Sequence, residues 1–206
     1  MNHLEKTKIF FGLKDKYNSF IHSILYLTFL LVSCSSNKYQ RISIENPNAL
    51  VAMEDSLLKV ESDENFYNAL GVAHSSIGKI AYHDKDFLKA KNHFTRAISL
   101  AKNDTSSLYY YYLTEGHLLL KKGNKNGLWD GIEFYYKAAK LKPSLGEPYF
   151  FIGKSYQKLG SSDFDLIAES YENALKLTLN KDLRDKTNLE YNNIIDRKNK
   201  LENFWK

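Results

Sequence analysis

The sequence predicts an all-α protein, and three observations support this fold class. From Pro47 onward, apolar residues recur at the three- and four-residue spacing of a helix. The 206 residues include only 3 prolines, and each stands where a helix would begin or break. No useful length of chain alternates between apolar and polar residues as a half-buried strand does. The run Tyr109–Tyr112 favours strands by composition, but it lies inside a helical pattern that continues to Leu120.

Residues 1–33 form a predicted signal peptide. Four lysines against two acidic residues give residues 1–16 a net charge of +2, and the next charged residue is Lys38. Between them lies the apolar run Ile24–Val32, which is followed by small polar residues. A basic start, a short apolar segment and a small residue at its end are typical of a secretory signal. The run is shorter than the ~20 residues that span a membrane.

The chain's single cysteine directly follows this run. Leu31, Val32, Ser33 and Cys34 resemble the lipobox of bacterial lipoproteins, in which the cysteine is lipidated and becomes the first residue of the mature chain. The resemblance implies that acyl chains on Cys34 anchor the protein to a membrane. Removing 33 of the 206 residues would leave 173. The alternative is an uncleaved anchor helix over about Tyr17–Val32 with an incidental cysteine.

Composition excludes several other classes of protein. One cysteine excludes an intramolecular disulfide framework and any zinc or iron–sulfur site with several cysteine ligands. Subtracting the leader's +2 from the total charge of +5 leaves +3, which is too little to indicate a nucleic-acid partner. Residues 34–46 are polar and lack helical periodicity. They are predicted to be the lipidated cysteine and a flexible tether.

Two stretches of the mature chain share one pattern of small and large apolar residues. Between 74 and 102 its positions are Ile77, Gly78, Ala81, Phe87, Ala90, Phe94, Ala97 and Leu100. Between 149 and 177 they are Tyr149, Ile152, Gly153, Tyr156, Gly160, Phe164, Ile167, Tyr171, Ala174 and Leu177. The pattern resembles the tetratricopeptide repeat (TPR), a helix–turn–helix unit of about 34 residues whose small residues let two helices approach closely. The alternative is a non-repeating helical bundle with the same apolar stripes.

A less regular copy lies between these two. It contains Tyr112, Gly116, Leu119, Tyr135, Ala138, Leu141 and Pro143. Glu115 stands where an apolar residue is expected, which leaves the register of this copy open. About three extra residues within Lys125–Leu128 predict an enlarged turn between its helices, and about two extra residues near Ser161 and Ser162 enlarge the next copy.

Flanking helices complete the predicted architecture. Asn46 and Pro47 begin an N-terminal flanking helix over 47–62, whose stripe is Leu50, Met53, Leu57 and Val60. The TPR repeat domain covers 63–180. A C-terminal capping helix over 181–206 carries the stripe Tyr191, Ile194, Ile195, Leu201 and Phe204. The predicted fold is therefore a helix–turn–helix repeat superhelix, or α-solenoid, of about three TPR units with flanking capping helices.

No pattern of residues indicates catalysis, a cofactor or a metal. Of the mature chain's four histidines, His74, His83, His93 and His117, no two stand three or four residues apart. The segment His83–Asp86 is expected to form a polar turn between two helices. Neither the nucleophile elbow of hydrolases nor a phosphate-binding glycine loop occurs. The chain is therefore not expected to be an enzyme.

The TPR resemblance implies an inner groove lined by the first helix of each repeat. The positions it assigns to that groove are Ser75, Ser76, Lys79, Tyr82, Tyr110, Leu113, Thr114, His117, Phe150, Phe151, Lys154, Gln157 and Lys158. Family members that hold a terminal carboxylate use Lys, Asn and Arg there. Ser75, Thr114 and Phe151 occupy three of those positions here, so that clamp is not expected. A groove rich in Tyr and Phe favours an apolar or aromatic peptide segment. Alternatively, individual aromatics pack between repeats.

These features predict a membrane-tethered adaptor of the bacterial cell envelope. It would bind a protein or peptide through the groove and a membrane through acyl chains on Cys34, with no nucleic acid and no metal. Ser35, rather than Asp, follows the cysteine, which favours an outer-membrane lipoprotein facing the periplasm. One alternative is a structural subunit of an envelope assembly that uses its outer surface and loops, with its contact around Gly123–Trp129. Another is an envelope enzyme or a small-ligand carrier.

Overall fold

The computed structural model describes residues 38–61, 63–101, 104–160 and 163–204. The predicted signal peptide, the lipobox and Cys34 lie outside these residues. The helices are α1 (38–45), α2 (Pro47–Ala52), α3 (Glu54–Leu57), α4 (Glu64–His83), α5 (Phe87–Leu100), α6 (Thr105–Lys122), α7 (Lys125–Leu141), α8 (Glu147–Lys158), α9 (Phe164–Lys176) and α10 (Lys181–Phe204). In the part of the chain that the structure describes, no helix is both long and apolar enough to cross a membrane.

The chain divides into two compact units, the first ending at Leu70 and the second beginning at Gly71. In the first unit, α1 differs from the prediction. A flexible tether is predicted over 34–46, but its described part is helical from 38 to 45. The Tyr39 hydroxyl donates a hydrogen bond to Glu61 at 3.0 Å, and the Tyr39 and Phe66 rings lie 5.0 Å apart. These contacts join residues distant in sequence, so the local pattern does not reveal them.

The predicted flanking helix over 47–62 is two short helices. It begins as predicted, since the Asn46 side chain accepts a hydrogen bond from the Ala49 backbone N–H at 3.1 Å and Pro47 follows directly. The first helix ends at Ala52, and α3 covers only Glu54–Leu57. Leu50 is fully buried, whereas Val60 is 76% exposed. The predicted stripe therefore does not form one continuous buried face.

The second unit, which begins within α4, contains three helix pairs, the part of α4 from Gly71 on with α5, α6 with α7 and α8 with α9, followed by α10. Each helix from α5 on packs against the next. In every pair a glycine on the first helix lies against an aromatic ring on the second: Gly78 against Phe94, Gly116 against Tyr135, and Gly153 against Tyr171. A Cβ atom at these glycines would lie 2.8, 2.5 and 2.7 Å from the ring, respectively. The recurrence confirms the predicted all-α repeat fold and settles the register of the central repeat.

The prediction of an enlarged turn in the central repeat is wrong. Asn124 accepts a hydrogen bond from the Gly127 N–H at 3.2 Å, so α7 begins at Lys125, after a connection of only two residues. Helix α7 has 17 residues, against 14 in α5 and 13 in α9. The extra residues therefore lengthen the helix and leave the turn short. The insertion predicted near Ser161 and Ser162 lies outside the described residues.

Glu115, which obscured the register, is buried and pairs with a partly exposed lysine. Its carboxylate lies 2.6 Å from the Lys91 ammonium, and its side chain is 11% exposed. The pair joins α6 to α5 of the preceding repeat. A charged residue can therefore occupy an interior position, because a lysine from a neighbouring helix compensates its charge.

Helix α10 packs against α9, as a capping helix should, but only its first part is covered. Ile194 is fully buried, while Leu201 and Phe204 are 45% and 78% exposed. The reason is length, since α10 has 24 residues and α9 has 13. The predicted stripe is therefore a buried seam that becomes solvent-exposed towards the C-terminus.

Candidate functional site

A cavity of about 540 Å³ lies between residues of α4, α6, α8 and α10, and we call it the main cavity. Its lining comes from the α4–α5 turn, the C-terminal half of α6, both ends of α8 and the first turns of α10. The lining residues are Tyr82, His83, Lys85, Phe87, His117, Leu120, Lys121, Glu147, Phe150, Phe151, Lys158, Leu183 and Lys186. Its size is within the range of ligand-binding pockets.

A chain of hydrogen bonds across four helices holds the floor of this cavity. The Tyr135 hydroxyl lies 2.9 Å from His117 Nδ1, and the Tyr82 hydroxyl lies 2.8 Å from His117 Nε2. Tyr82 in turn donates to Glu147 Oε1 at 2.8 Å. We call these four residues the buried network, of which Tyr82, His117 and Tyr135 are buried and Glu147 is partly exposed. It links α4, α6, α7 and α8, and therefore fixes the helices relative to one another where the cavity forms.

The proton positions in the buried network follow from its last bond. Because the Tyr82 hydroxyl donates to Glu147, its oxygen must accept from His117 Nε2–H. His117 Nδ1 then carries no proton and accepts from Tyr135. Burial lowers the pKa of His117 to about 3, so the imidazole is neutral at physiological pH. Burial also raises the pKa of Tyr82 and of Tyr135, which keeps both hydroxyls protonated as donors.

His117 is also the centre of an aromatic cluster. The rings of Phe151 and Phe87 lie 4.3 and 4.7 Å from its ring, and the Tyr82 ring lies 5.4 Å away. Both imidazole nitrogens are already hydrogen-bonded, and a group with a pKa near 3 is a poor base at neutral pH. His117 is therefore a neutral ring that its hydrogen bonds and its aromatic neighbours hold in place.

Among the described residues, Glu147 is the one carboxylate that lines the main cavity, and the loop before it sets its position. Gly146 N–H donates to the Thr178 carbonyl, and Thr178 N–H donates to the Ser144 carbonyl, each at 2.9 Å. A Cβ atom at Gly146 would lie 2.3 Å from the Ala174 carbonyl oxygen, so only glycine allows this approach. Burial raises the pKa of Glu147, while its hydrogen bond with Tyr82 acts in the opposite direction.

The start of α10 closes one side of the cavity. Asn180 caps the helix by accepting from the Leu183 N–H at 2.8 Å. The Arg184 guanidinium donates to the Leu175 and Leu177 carbonyls at 3.1 and 2.8 Å, at the end of α9. These bonds hold the first turns of α10 against α9 and place Leu183 and Lys186 beside the cavity.

Five of the predicted groove residues line the main cavity: Tyr82, His117, Phe150, Phe151 and Lys158. A second cavity of about 440 Å³ is lined by Leu120, Lys154, Gln157 and Lys158, and therefore adjoins the first. Lys154 and Gln157 both donate to Glu190 of α10, at 2.8 and 3.1 Å. Their polar groups are therefore already used within the protein.

The other predicted groove residues line neither cavity. Leu113 and Thr114 have no exposed surface, and Ser75 is buried with its hydroxyl bonded to Ser107. These three support the packing of the repeats, so we exclude them from the binding surface. The Ser76 hydroxyl donates to the Val72 carbonyl of its own helix. Lys79 and Tyr110 are half-buried and contact each other, with the ammonium 5.7 Å from the ring centre.

Sequence reasoning missed more than half of the cavity lining. The missed residues are His83, Lys85, Phe87, Leu120, Lys121, Glu147, Leu183 and Lys186. Most stand at the ends of helices, whereas the family pattern concerns helix middles. One feature of the sequence could have identified Glu147: it is an acidic residue in the first turn of a predicted helix, next to Pro148. No local feature could have identified Leu183 and Lys186, because their position beside the cavity depends on how α10 packs.

The four histidines that the structure describes form no recognisable metal centre. His74 and His93, 19 residues apart in sequence, meet across α4 and α5 with their Nδ1 atoms 3.0 Å apart. Among the described residues, no group of three or more His, Cys, Asp or Glu side chains could hold a metal ion. The segment after His83 forms the polar turn that was expected, and Asp86 caps α5 by accepting from the Lys89 N–H.

No protein-family model and no curated protein matches the chain. Among solved structures, it is similar to the TPR domain of Arabidopsis OM64, with 16% identity and a TM-score of 0.48 over 64% of this chain and 98% of that one. It is also similar to MamA of strain AMB-1, with 17% identity and a TM-score of 0.45 over 82% and 91%. MamA of Desulfovibrio magneticus RS-1 matches with 15% identity and a TM-score of 0.43 over 80% and 96%. Likeness at this level carries no information about ligand or activity.

Proposed function

We propose that this chain is a membrane-tethered adaptor of the bacterial cell envelope that binds a segment of a partner protein in the main cavity. One observation carries the binding part of this proposal. The buried network fixes an aromatic floor before any ligand arrives, and a preorganised surface loses little conformational entropy on binding. The floor residues Phe150 and Phe151 come from α8, the first helix of the third repeat, on the side where the family resemblance places a groove.

The tether rests on the sequence alone. The short apolar run and the lipobox-like residues before Cys34 support a lipid anchor, and residue Ser35 supports sorting to the outer membrane. An adaptor of this kind would concentrate its partner at the membrane surface. Its mechanism would be binding alone, without covalent chemistry at the cavity.

A structural subunit that uses its outer surface is the second candidate function. The enlarged turn that was predicted as its contact point does not form, because Lys125–Leu128 are helical. It keeps Trp129, which is 49% exposed on α7 with the Tyr156 ring 5.8 Å away. The two candidates therefore predict partner contacts at different residues of the same helix pair, at Lys121 beside the main cavity or at Trp129 outside its lining.

Site-specific crosslinking in intact cells distinguishes these candidates. A photo-crosslinking amino acid would replace Lys121 at the cavity or, as the matched position, Trp129 on the outer surface. The adaptor proposal predicts one dominant crosslinked partner from position 121 and none from position 129. The reverse result would favour the structural subunit.

Palmitate labelling tests the tether separately. In a Cys34→Ala variant, radioactive palmitate labelling should disappear and the protein should leave the membrane fraction, whereas unchanged labelling would contradict the tether.

A further inference from the structure

Four lysines from four different elements surround the main cavity, and we call them the lysine rim. They are Lys85 in the α4–α5 turn, Lys121 at the end of α6, Lys158 at the end of α8 and Lys186 in α10. All four are exposed, and within the described residues none lies within ion-pair distance of a carboxylate. Lys158 donates a hydrogen bond to the Leu120 carbonyl at 2.9 Å, which holds its ammonium at the cavity edge.

The floor between these lysines does not neutralise them. Phe87, Phe150, Phe151 and Leu183 are apolar, and His117 is uncharged because burial lowers its pKa to about 3. Glu147 is the only carboxylate among the described residues of the lining, and one of its oxygens already accepts from Tyr82. Four positive groups therefore surround an apolar floor with one acidic group. This is the charge complement of an anionic ligand with an apolar body.

The shape favours an extended ligand. The second cavity shares Leu120 and Lys158 with the main cavity, so the concave surface continues beyond the lysine rim. A compact inorganic anion would leave the apolar floor empty. A peptide in extended conformation can place one large side chain on the floor and direct flanking carboxylates to lysines on opposite sides.

We propose that the main cavity binds an acidic peptide segment, with an aromatic or large aliphatic side chain on the floor and neighbouring Asp or Glu side chains at the lysine rim. This inference rests on the proposed adaptor function and specifies the chemistry of the partner. Part of the affinity comes from exposed charges, so binding should weaken as salt concentration rises.

A panel of synthetic peptides tests this chemistry with the full-length protein in mild detergent. The probes are a fluorescent ten-residue peptide with one Trp among Glu residues, the same peptide with Lys for Glu, with Gln for Glu, and with Ser for Trp. Fluorescence anisotropy should show tightest binding of the Glu–Trp peptide. Both the Gln and the Ser peptides should bind on the order of tenfold more weakly, and the Lys peptide weakest of all.

Two charge-reversed variants locate the site. Lys121→Glu/Lys186→Glu should lower affinity for the Glu–Trp peptide on the order of tenfold or more. The control Lys125→Glu/Lys140→Glu makes the same change in net charge at exposed lysines outside the cavity and should leave affinity within about twofold. Carbodiimide coupling, which joins a carboxylate to an amine in contact, should attach the bound peptide to the four rim lysines.

The outcomes separate this inference from the adaptor function. If the Lys or Gln peptide binds at the cavity as well as the Glu peptide, the acidic chemistry is wrong and the adaptor function stands. If no peptide of the panel binds, or if a fatty acid such as oleate binds in the cavity and the peptides do not, the inference is overturned. Equal loss in the rim and control variants would show non-specific attraction and would also overturn it.

Discussion

The Gly116→Ala substitution should strongly destabilise the protein, because the added methyl group would overlap a buried ring. The new Cβ atom would lie 2.5 Å from the Tyr135 ring, and three atoms of that ring lie within 2.9 Å of it. Tyr135 is fully buried and bonded to His117, so its ring cannot move without breaking the buried network. We expect the free energy of unfolding to fall by about 3 kcal/mol, although alanine is intrinsically the better helix former by about 1 kcal/mol.

The matched control lies on the partner helix of the same pair. At Gly131 a Cβ atom would have ordinary contacts, 3.4 Å from the Gly116 carbonyl oxygen and from Leu119 Cβ. Gly131→Ala should therefore leave stability unchanged or raise it by up to about 1 kcal/mol through helix propensity. Urea unfolding followed by circular dichroism measures both variants. Equal effects of the two substitutions would mean that the glycine–ring contact does not hold the pair together.

The second large effect is a dependence of the free energy of unfolding on pH, which originates at His117. Its pKa is about 3 in the folded protein, against 6.5 for an ordinary histidine. Between these values the unfolded chain binds one more proton than the folded chain, so the free energy of unfolding falls as pH is lowered from about 6.5 towards 3. The expected loss is several kcal/mol, because each pKa unit corresponds to about 1.4 kcal/mol.

Glu147 contributes to the pH dependence of stability with the opposite sign. Its pKa is raised in the folded protein, so its favourable contribution is complete at low pH and is lost as pH rises through its folded pKa. A His117→Gln variant keeps Glu147 and all other titrating groups. The difference between the two pH curves therefore isolates the histidine.

Urea unfolding between pH 4 and 8 measures this difference. At pH 7 the His117→Gln variant should be the less stable protein, because it loses ring contacts with Phe87 and Phe151. As pH falls to 4 the difference should shrink or reverse. Parallel curves for wild type and His117→Gln would contradict a neutral, buried imidazole.

The fold could be predicted because its determinants recur along the sequence. Gly78 and Gly153 stand at matching positions of two clear copies, and each packs against the aromatic ring that the pattern places on the next helix. The central copy was harder to place because Glu115 breaks the apolar pattern. Its compensation by Lys91, 24 residues earlier in the sequence, is a tertiary interaction that no local pattern contains.

The site was predicted less completely than the fold. His117 and Tyr82 were found because they stand on helix faces that the repeat assigns to the groove. Leu113 and Thr114 were assigned by the same rule but are buried, since the repeat fixes the face and not the depth. The lysine rim was missed, except for Lys158, because its members stand at helix ends and in α10, where position depends on turns and on the fold of the C-terminal helix.

Lysine acetylation of the protein in native membranes tests the central claim most directly. Acetylation would be compared between native membranes and purified full-length protein, and read residue by residue. If a partner occupies the main cavity, Lys85, Lys121, Lys158 and Lys186 should be protected in membranes, while Lys125 and Lys140, equally exposed on α7, should react alike in both samples. Protection of Lys125 and Lys140 with full reactivity of the lysine rim would contradict the claim that the partner binds in the main cavity.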